Sequence, residues 1–271
     1  MKRPLLPILV CLIWVLLAIV GPWLSLDPNH IHLQSILQPP GSASFLGFDD
    51  LGRPILDRLI LGARTSLLVS VWVVGLSAVT GILIGTLTAY IGGWLDLVVV
   101  RVIDVFMAFP GILLAIALAG IMGPGINNVV IALSVVGWVG FARQARALTL
   151  SVKERDHVAA AVSMGTGTPR IILRHLLPLI SAPLIVEATF GIAAVIISEA
   201  GLSFLGLGVQ PPEASWGSMI RDGARYMLVS PHMVLAPGLA LMLVVLSVNL
   251  LGDWLRDVMD SRLRQAGSDT C

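Results

Sequence analysis

Charge is what this sequence has least of. Only 12% of its 271 residues are Asp, Glu, Lys or Arg, roughly half of the ~25% usual in a soluble domain. That shortfall excludes a water-soluble globule, and the mean hydropathy of +0.93 agrees. The net charge is +1, so the chain has no electrostatic basis for holding nucleic acid, and no nucleic-acid partner is expected. Cysteine is almost absent. Cys11 lies in the first apolar run and Cys271 is the last residue, so no disulfide between them is expected. No Cys/His cluster has zinc spacing, and neither a metal centre nor another cofactor is expected. Lysine occurs only as Lys2 and Lys153. Neither sits in the Gly-Lys-Ser/Thr context of a phosphate-cradling loop, so the chain is not expected to hydrolyse nucleotide or to be an enzyme by itself.

Apolar side chains are abundant, at 56% of the chain, and they come in long uninterrupted runs. A hydrocarbon core about 30 Å thick needs roughly 20 residues of helix. Residues 4–26 carry no charge and give a first span over Pro4–Leu24. A cleaved signal peptide would have a shorter apolar core and an Ala-x-Ala-like site, so an uncleaved anchor is expected. Ser66–Tyr90 gives span two. The uncharged stretch 105–142 is too long for one helix, and "MGPGINN" (Met122–Asn128) divides it because Gly-Pro-Gly favours a turn. Span three is then Leu97–Ile121, span four Asn128–Ala147, span five Ser181–Leu205 and span six His232–Leu251. The runs are too long for barrel strands, and only helices or closed barrels satisfy their backbone in lipid. The expectation is an all-α polytopic membrane protein with six transmembrane helices. With the N-terminus inside, twelve of the 17 Lys and Arg residues lie on the inner side and five on the outer, which orients both termini to the cytoplasm.

"DHVAAAVSMGTGTPRIILRHLLP" (Asp156–Pro178) is the longest water-compatible stretch of the second half. Ser151-Val-Lys-Glu154 has the form of a capping box, from which a helix can run to Met164. Gly165 and Gly167 suit its end. Thr168 can cap a second helix with Pro169 in its first position, and Pro178 precedes span five. A helix–turn–helix results, whose Ala159, Ala160 and Ala161 leave room for close approach. A DNA-reading pair is disfavoured, because spans four and five pin it to the membrane. A passive surface loop and a docking element for a cytoplasmic partner remain, and small side chains suit docking into a groove.

The residues then carry a resemblance. Ala160, Ala161, Gly165, Leu177 and Pro178 match "AAxxxG" followed by "xxLP", which resembles the EAA loop of ABC importer permeases. Ala159 stands at the glutamate place and His175 at the isoleucine place. "D-x-V-x-A-A" from Asp156 is similar to the dipeptide/oligopeptide/nickel branch. So are "FLGFDDLGRPILDRLILGARTSL" (Phe45–Leu67), "FPGILLAIAL" (Phe109–Leu118), "GLSFLGLGVQPPEASWGSMI" (Gly201–Ile220) and "NLLGDWLRDVMD" (Asn249–Asp260). Phe48 and Pro54 differ from the usual residues of the first of these motifs. The resemblance covers nearly the whole chain. It implies the type I ABC importer permease fold in a bacterial inner membrane. It also implies a homologous permease subunit as partner, two cytoplasmic ABC ATPase subunits docked on the EAA loops, and a periplasmic binding protein that delivers peptides or nickel and metal chelates. Membrane lipids surround the spans. In this reading Asp156, Ala159, Ala160, Ala161, Gly165, Gly167, Leu177 and Pro178 couple ATP hydrolysis to alternating access. Residues 1–65 form the N-terminal anchor and periplasmic segment, 66–256 the core permease with its coupling loop at 148–178, and 257–271 a cytoplasmic tail. An ion-coupled secondary transporter and a non-transporting scaffold are the alternatives. No clear internal repeat of the secondary-transporter kind is visible.

Ionisable groups inside a bilayer cost about 2.5–3.5 kcal/mol each on insertion scales, so those within spans invite a functional reading. Glu187 and Glu199 in span five are about 18 Å apart along the helix and about 120° around it. Glu187, near the inner end, is a pathway candidate or a partner of Arg143. Glu199, nearer the outer end, is a candidate to face the path or the partner chain. Arg101 and Asp104 have the spacing of a surface ion pair. Phe109-Pro110 is expected to kink span three and shape a cavity. His30-Ile-His32 offers a nickel contact by type, but loop histidines are far more often solvated, and no metal site is assigned. Gly81 and Gly85 form Gly-xxx-Gly, which lets helices approach. Leu51, Ile55, Leu59 and Gly62 follow helical spacing, with Asp57, Arg58 and Arg64 on other faces. The segments Phe45–Leu67 and Leu205–Tyr226 are thus expected to form short amphipathic helices at the outer mouth.

Overall fold

The computed structural model describes residues 4–42 and 44–268. Ten α-helices are present among them: α1 Leu5–Val20, α2 Ile55–Ile91, α3 Gly93–Met107, α4 Gly111–Met122, α5 Ile126–Val152, α6 Asp156–Ser163, α7 Thr168–Ile171, α8 Leu177–Phe204, α9 Trp216–Ala224 and α10 His232–Ser268. No strand occurs among the described residues beyond one isolated bridge between Phe48 and Pro54. The all-α expectation holds, and each long apolar run is helical. Five helices are long and apolar enough to cross a bilayer singly, and the sixth crossing requires α3 and α4 together.

That sixth crossing departs from the straight span expected over Leu97–Ile121. The chain breaks at residues 108–110, and α3 and α4 meet at 86°. Pro110 has no N–H to continue the α3 ladder, and its ring drives the preceding residue out of helical geometry. Pro110 itself is extended, at φ −58° and ψ 120°, and opens α4. What was expected as a kink is a corner.

The α1 helix buries only Pro7, Trp14 and Ala18. Its remaining apolar faces are tolerable only in lipid. The Trp14 indole N–H donates to Ala63 O at 3.2 Å, tying α1 to α2. The α2 helix runs unbroken for 37 residues, about 55 Å at 1.5 Å per residue, so it outreaches the ~30 Å hydrocarbon layer. The amphipathic segment expected before span two is the first part of this helix, and Leu51 lies in the turn before it. The α2 and α5 helices pack at Gly81 and Gly85, where an added Cβ would collide with the carbonyl oxygens of Trp138 and Ala142 respectively. The Gly-xxx-Gly pair thus joins two helices of this same chain.

The bundle has two distinct ends. At one, the Gly125 N–H donates to Leu207 O at 3.0 Å, the Ser230 hydroxyl to Leu37 O at 3.4 Å, and the His232 ring lies 3.4 Å from Phe48 O. Residues 24–42, 44–54, 123–125 and 205–231 gather here. At the other end, Lys153 Nζ donates to Ala89 O at 3.2 Å, and α6 and α7 protrude. The end of α1 lies against the first turns of α2, since a Cβ on Gly21 would meet Ile60 Cγ2 at 2.9 Å. The start of α1 and the end of α10 therefore sit at the α6 end.

The first end carries a correction. Arg58, expected on a face other than the apolar one, is 3% exposed. It can be buried because Asp49 faces it at 3.5 Å. Asp49 also takes Arg53 Nε at 2.7 Å and the Arg53 backbone N–H at 2.8 Å. A buried guanidinium needs such a partner. Burial raises the Asp50 carboxyl above its ordinary range, the Asp49 charge adds to this, and Arg53 opposes it.

Candidate functional site

The protruding element is built from its own helix-end chemistry. The expected capping box at Ser151–Glu154 does not form. The α5 helix continues through Val152, and the Ser151 hydroxyl donates to Leu148 O at 2.7 Å within it. An N-cap needs non-helical backbone, and Arg155 supplies that at φ −68° and ψ 146°, without a side-chain bond. The α6 helix stops where expected. Gly165 adopts φ +77°, its N–H donates to Val162 O at 2.9 Å, and the Thr166 N–H reaches Ala161 O at 3.1 Å. This pair of bonds is the Schellman arrangement, which favours glycine at the left-handed position. Gly167 belongs to the next helix instead. It is the extended N-cap of α7, so Thr168 and Pro169 each stand one place further into the helix than expected.

Nor does the second helix end before span five. Residues Thr168–Phe204 form one apolar helical run, with a π-helical segment over Ile172–Leu176. In a regular α-helix the Pro178 ring would press on the carbonyl of Arg174. The widened turn just before it relieves that crowding. The protruding element is thus a direct extension of α8, and a displacement of α6 and α7 bears on that span without an intervening loop.

The three alanines separate by face. Val158 and Ala161 are each 1% exposed, and Val158 joins a cluster with Val152, Ile171, Leu176 and Ile180. Ala159 and Ala160 face outward with Asp156 and Gly165. Beside them Met164 is 78% exposed and Val162 51%. Leu177 is half-buried against the same cluster and Pro178 is exposed. The result is a helix seated on Val158 and Ala161, whose exposed side carries the small Ala159 and Ala160 beside the apolar Val162 and Met164.

Comparison with known proteins bears directly on this arrangement. The profile of the "binding-protein-dependent transport system inner membrane component" matches residues 81–265. The chain belongs to that family. Among its relatives, the dipeptide transport system permease protein DppC of Alkalihalophilus pseudofirmus is 38% identical, over 97% of this chain and 87% of the relative. The glutathione transport system permease protein GsiD of Pectobacterium atrosepticum is 42% identical, over 87% and 78%. The di/tripeptide transport system permease protein DppC of Pseudomonas aeruginosa is 40% identical, over 96% and 88%. An inward-facing structure of the MetNI methionine ABC transporter shares the fold, at TM-score 0.62 and 18% identity, over 75% of this chain and 97% of that one. The permease is thus a multi-pass inner-membrane transport component with the type I ABC importer fold, and ATP hydrolysis falls to separate subunits.

Near the α6 end the permease holds a cavity of about 380 Å³, lined by Gln144, Pro183, Glu187, Phe190 and Arg256 among others. Pro183 lies inside α8, where it leaves one backbone carbonyl without its helical donor. Gln144 Oε1 is buried there with no hydrogen-bond partner. Glu187 does not pair with Arg143, whose guanidinium turns toward Met107 Sδ at 3.8 Å. On α5 the neighbouring residue, Gln144, faces the cavity instead. Glu199 sits elsewhere, 1% exposed, accepting from the Ser203 hydroxyl at 2.7 Å and leaving Oε2 unpartnered. It is enclosed by its own chain and faces neither the cavity nor a free surface. Phe109 and Pro110 lie exposed at the α3–α4 corner, Phe109 at 57%.

Arg101 and Asp104 pair as expected, at 3.6 Å on an open surface. A stronger ion pair was missed. Arg146 holds Asp96 through two bonds, at 2.6 and 2.7 Å. The available signal was an aspartate in the first turn after Gly92-Gly93, interrupting an apolar stretch. Its partner lies 50 residues away, and no local spacing identifies it.

Proposed function

We propose that the chain forms one half of the alternating-access path of an ATP-driven importer for short peptides, glutathione-like peptides included. The relatives' names support this substrate class, and a cavity offering both a carboxylate and a guanidinium suits a zwitterionic ligand. A nickel or metal chelate is a side possibility only. A homologous permease completes the path, with the exposed α3–α4 corner at Phe109 and Pro110 available to it or to membrane lipids. The α6 end lies in the cytoplasm with both termini, and two ATPase subunits dock there. A periplasmic binding protein meets the opposite end. Residues 66–256 constitute the working permease, with 148–178 as its coupling loop.

The observation that carries this reading is the split face of α6. Val158, in the cluster beneath, and the buried Ala161 form the inner face, while Ala159, Ala160 and Met164 stand exposed. An apolar face in water needs a cover, and small residues allow a close one. Asp156 and the Gly165 turn bound the surface, and Leu177 with Pro178 carries its motion into α8.

The test is disulfide trapping in the assembled importer. Ala160→Cys should cross-link to a cysteine series in the ATPase groove, and Gly165→Trp should lower uptake while leaving ATP hydrolysis running. Full coupling in Gly165→Trp, with no cross-link from Ala160→Cys, would sink the reading.

A further inference from the structure

The transport reading makes no use of Asp27, His30 and His32, yet the fold gathers them. One ligand atom from each lies within 4.8 Å of the others. The two imidazole centroids are 4.4 Å apart with the rings inclined at 40°. The local chain explains the convergence. His30 and His32 are alternate residues of a segment that is neither helix nor turn. The turn at Pro28-Asn29 brings Asp27 back beside them.

The backbone of this loop is held from several directions. The Asp57 carboxylate accepts the Asp27 N–H at 3.0 Å. The buried Arg58 guanidinium donates to Pro28 O at 3.4 Å. The Asn29 amide, turned to satisfy its neighbours, donates to Pro212 O at 2.7 Å. Any Cβ on Gly52 would strike His32 O, so that carbonyl is seated against bare backbone. Two of these supports come from the first turn of α2. The side chains of all three residues are exposed, so an ion has access from water, and side-chain rotation draws the three groups onto it.

We propose that Asp27, His30 and His32 form a surface site for one first-row divalent cation of the zinc or nickel type. Two imidazole nitrogens and one carboxylate oxygen match the preferences of these ions. Magnesium and calcium favour all-oxygen shells and are disfavoured here. The remaining coordination positions face water and are open to a ligand from outside the chain. The site lies at the end of the bundle remote from α6. A bound ion ties residues 27–32 to one another, and the bonds from Asp57 and Arg58 join that loop to the start of α2.

The experiment uses the assembled importer in nanodiscs, without a histidine tag and stripped with chelator, titrated with Co²⁺ and then Zn²⁺. One additional Co²⁺ per permease should bind with a visible absorption band, and Zn²⁺ should displace it. His30→Ala and His32→Ala should each weaken binding at least ~10-fold, and the double variant should lose the band. His157→Ala, on α6, should keep it. Metal held by partner subunits is common to all samples and cancels in the comparison. Both rings are exposed, so the metal-free double variant should melt with the wild type. If it does not, His30→Gln/His32→Gln provides the same readout. An absence of saturable uptake, or uptake undiminished in a folded double variant, overturns the site.

Discussion

Asp96 at the start of α3 and Arg146 near the end of α5 share a two-pronged contact, Nε to Oδ1 at 2.6 Å and Nη2 to Oδ2 at 2.7 Å. Their side chains are 15% and 29% exposed. The pair anchors the bent α3–α4 crossing to the helix that leads into α6. Bidentate guanidinium–carboxylate geometry is shorter and stronger than a single bond. A double-mutant cycle with Asp96→Ala and Arg146→Ala, read by chemical unfolding in detergent, should give a coupling of about 1 kcal/mol, at the top of the range for exposed pairs after allowance for solvent screening. A coupling near zero would mean that the corner is held by packing alone.

Two glycines of α2 should respond oppositely to the same change. Gly85 is backed by Ala142, and an added methyl collides with its carbonyl. Gly85→Ala should therefore destabilise the protein by about 1–3 kcal/mol, the usual range for overpacking. Gly75 has nothing within 4 Å of the added carbon, so Gly75→Ala should be neutral or stabilising, by up to ~1 kcal/mol from helix propensity. Melting temperatures of the two variants, measured side by side, check the ordering.

The two glutamates of α8 should separate by phenotype. Glu187 lines the cavity, so Glu187→Gln should alter the KM for peptide uptake in proteoliposomes while the melting temperature holds. Glu199 bonds Ser203, whose hydroxyl also accepts the Val209 N–H at 3.3 Å. Glu199→Ala should therefore lower the melting temperature and leave KM unchanged in the protein that remains folded. The reverse pattern would move the path to the other end of the helix.

Asp50 predicts a pH trend. Its carboxyl is held above the ordinary range by burial and by Asp49. The folded state thus binds the proton more tightly than the unfolded state. The associated stability is fully present below the ordinary aspartate value of about 3.9 and is lost as pH rises through the raised one. Asp50→Asn should remove that loss. Its melting temperature relative to wild type should climb as pH is raised from 4 to 7, and a constant offset would contradict the assignment.

Met164 offers the sharpest separation of docking from folding. At 78% exposure it supports no core, so Met164→Asp should leave the permease's own melting unchanged. The same change should weaken co-purification of the ATPase subunits, because a charge then sits in the proposed apolar contact.

Apolar run length by itself determined the class, the number of crossings and the approximate limits of each. A bilayer imposes a length that any run of sufficient size must meet, and Gly165 marked a helix end because a left-handed turn favours glycine. What only the tertiary structure decided depends on partners distant in sequence. Arg58 is buried because Asp49 folds back onto it, and Arg143 and Gln144 divide two faces of α5 between α3 and the cavity. Pro110 makes a corner of 86° where local chemistry required only an interruption, because a proline removes a hydrogen bond but packing sets the angle that follows. Proline 178 marks no boundary at all, since a widened turn absorbs it. Helix, turn and span follow from neighbours a few residues apart. The direction in which each polar side chain finds its complement is set by long-range packing.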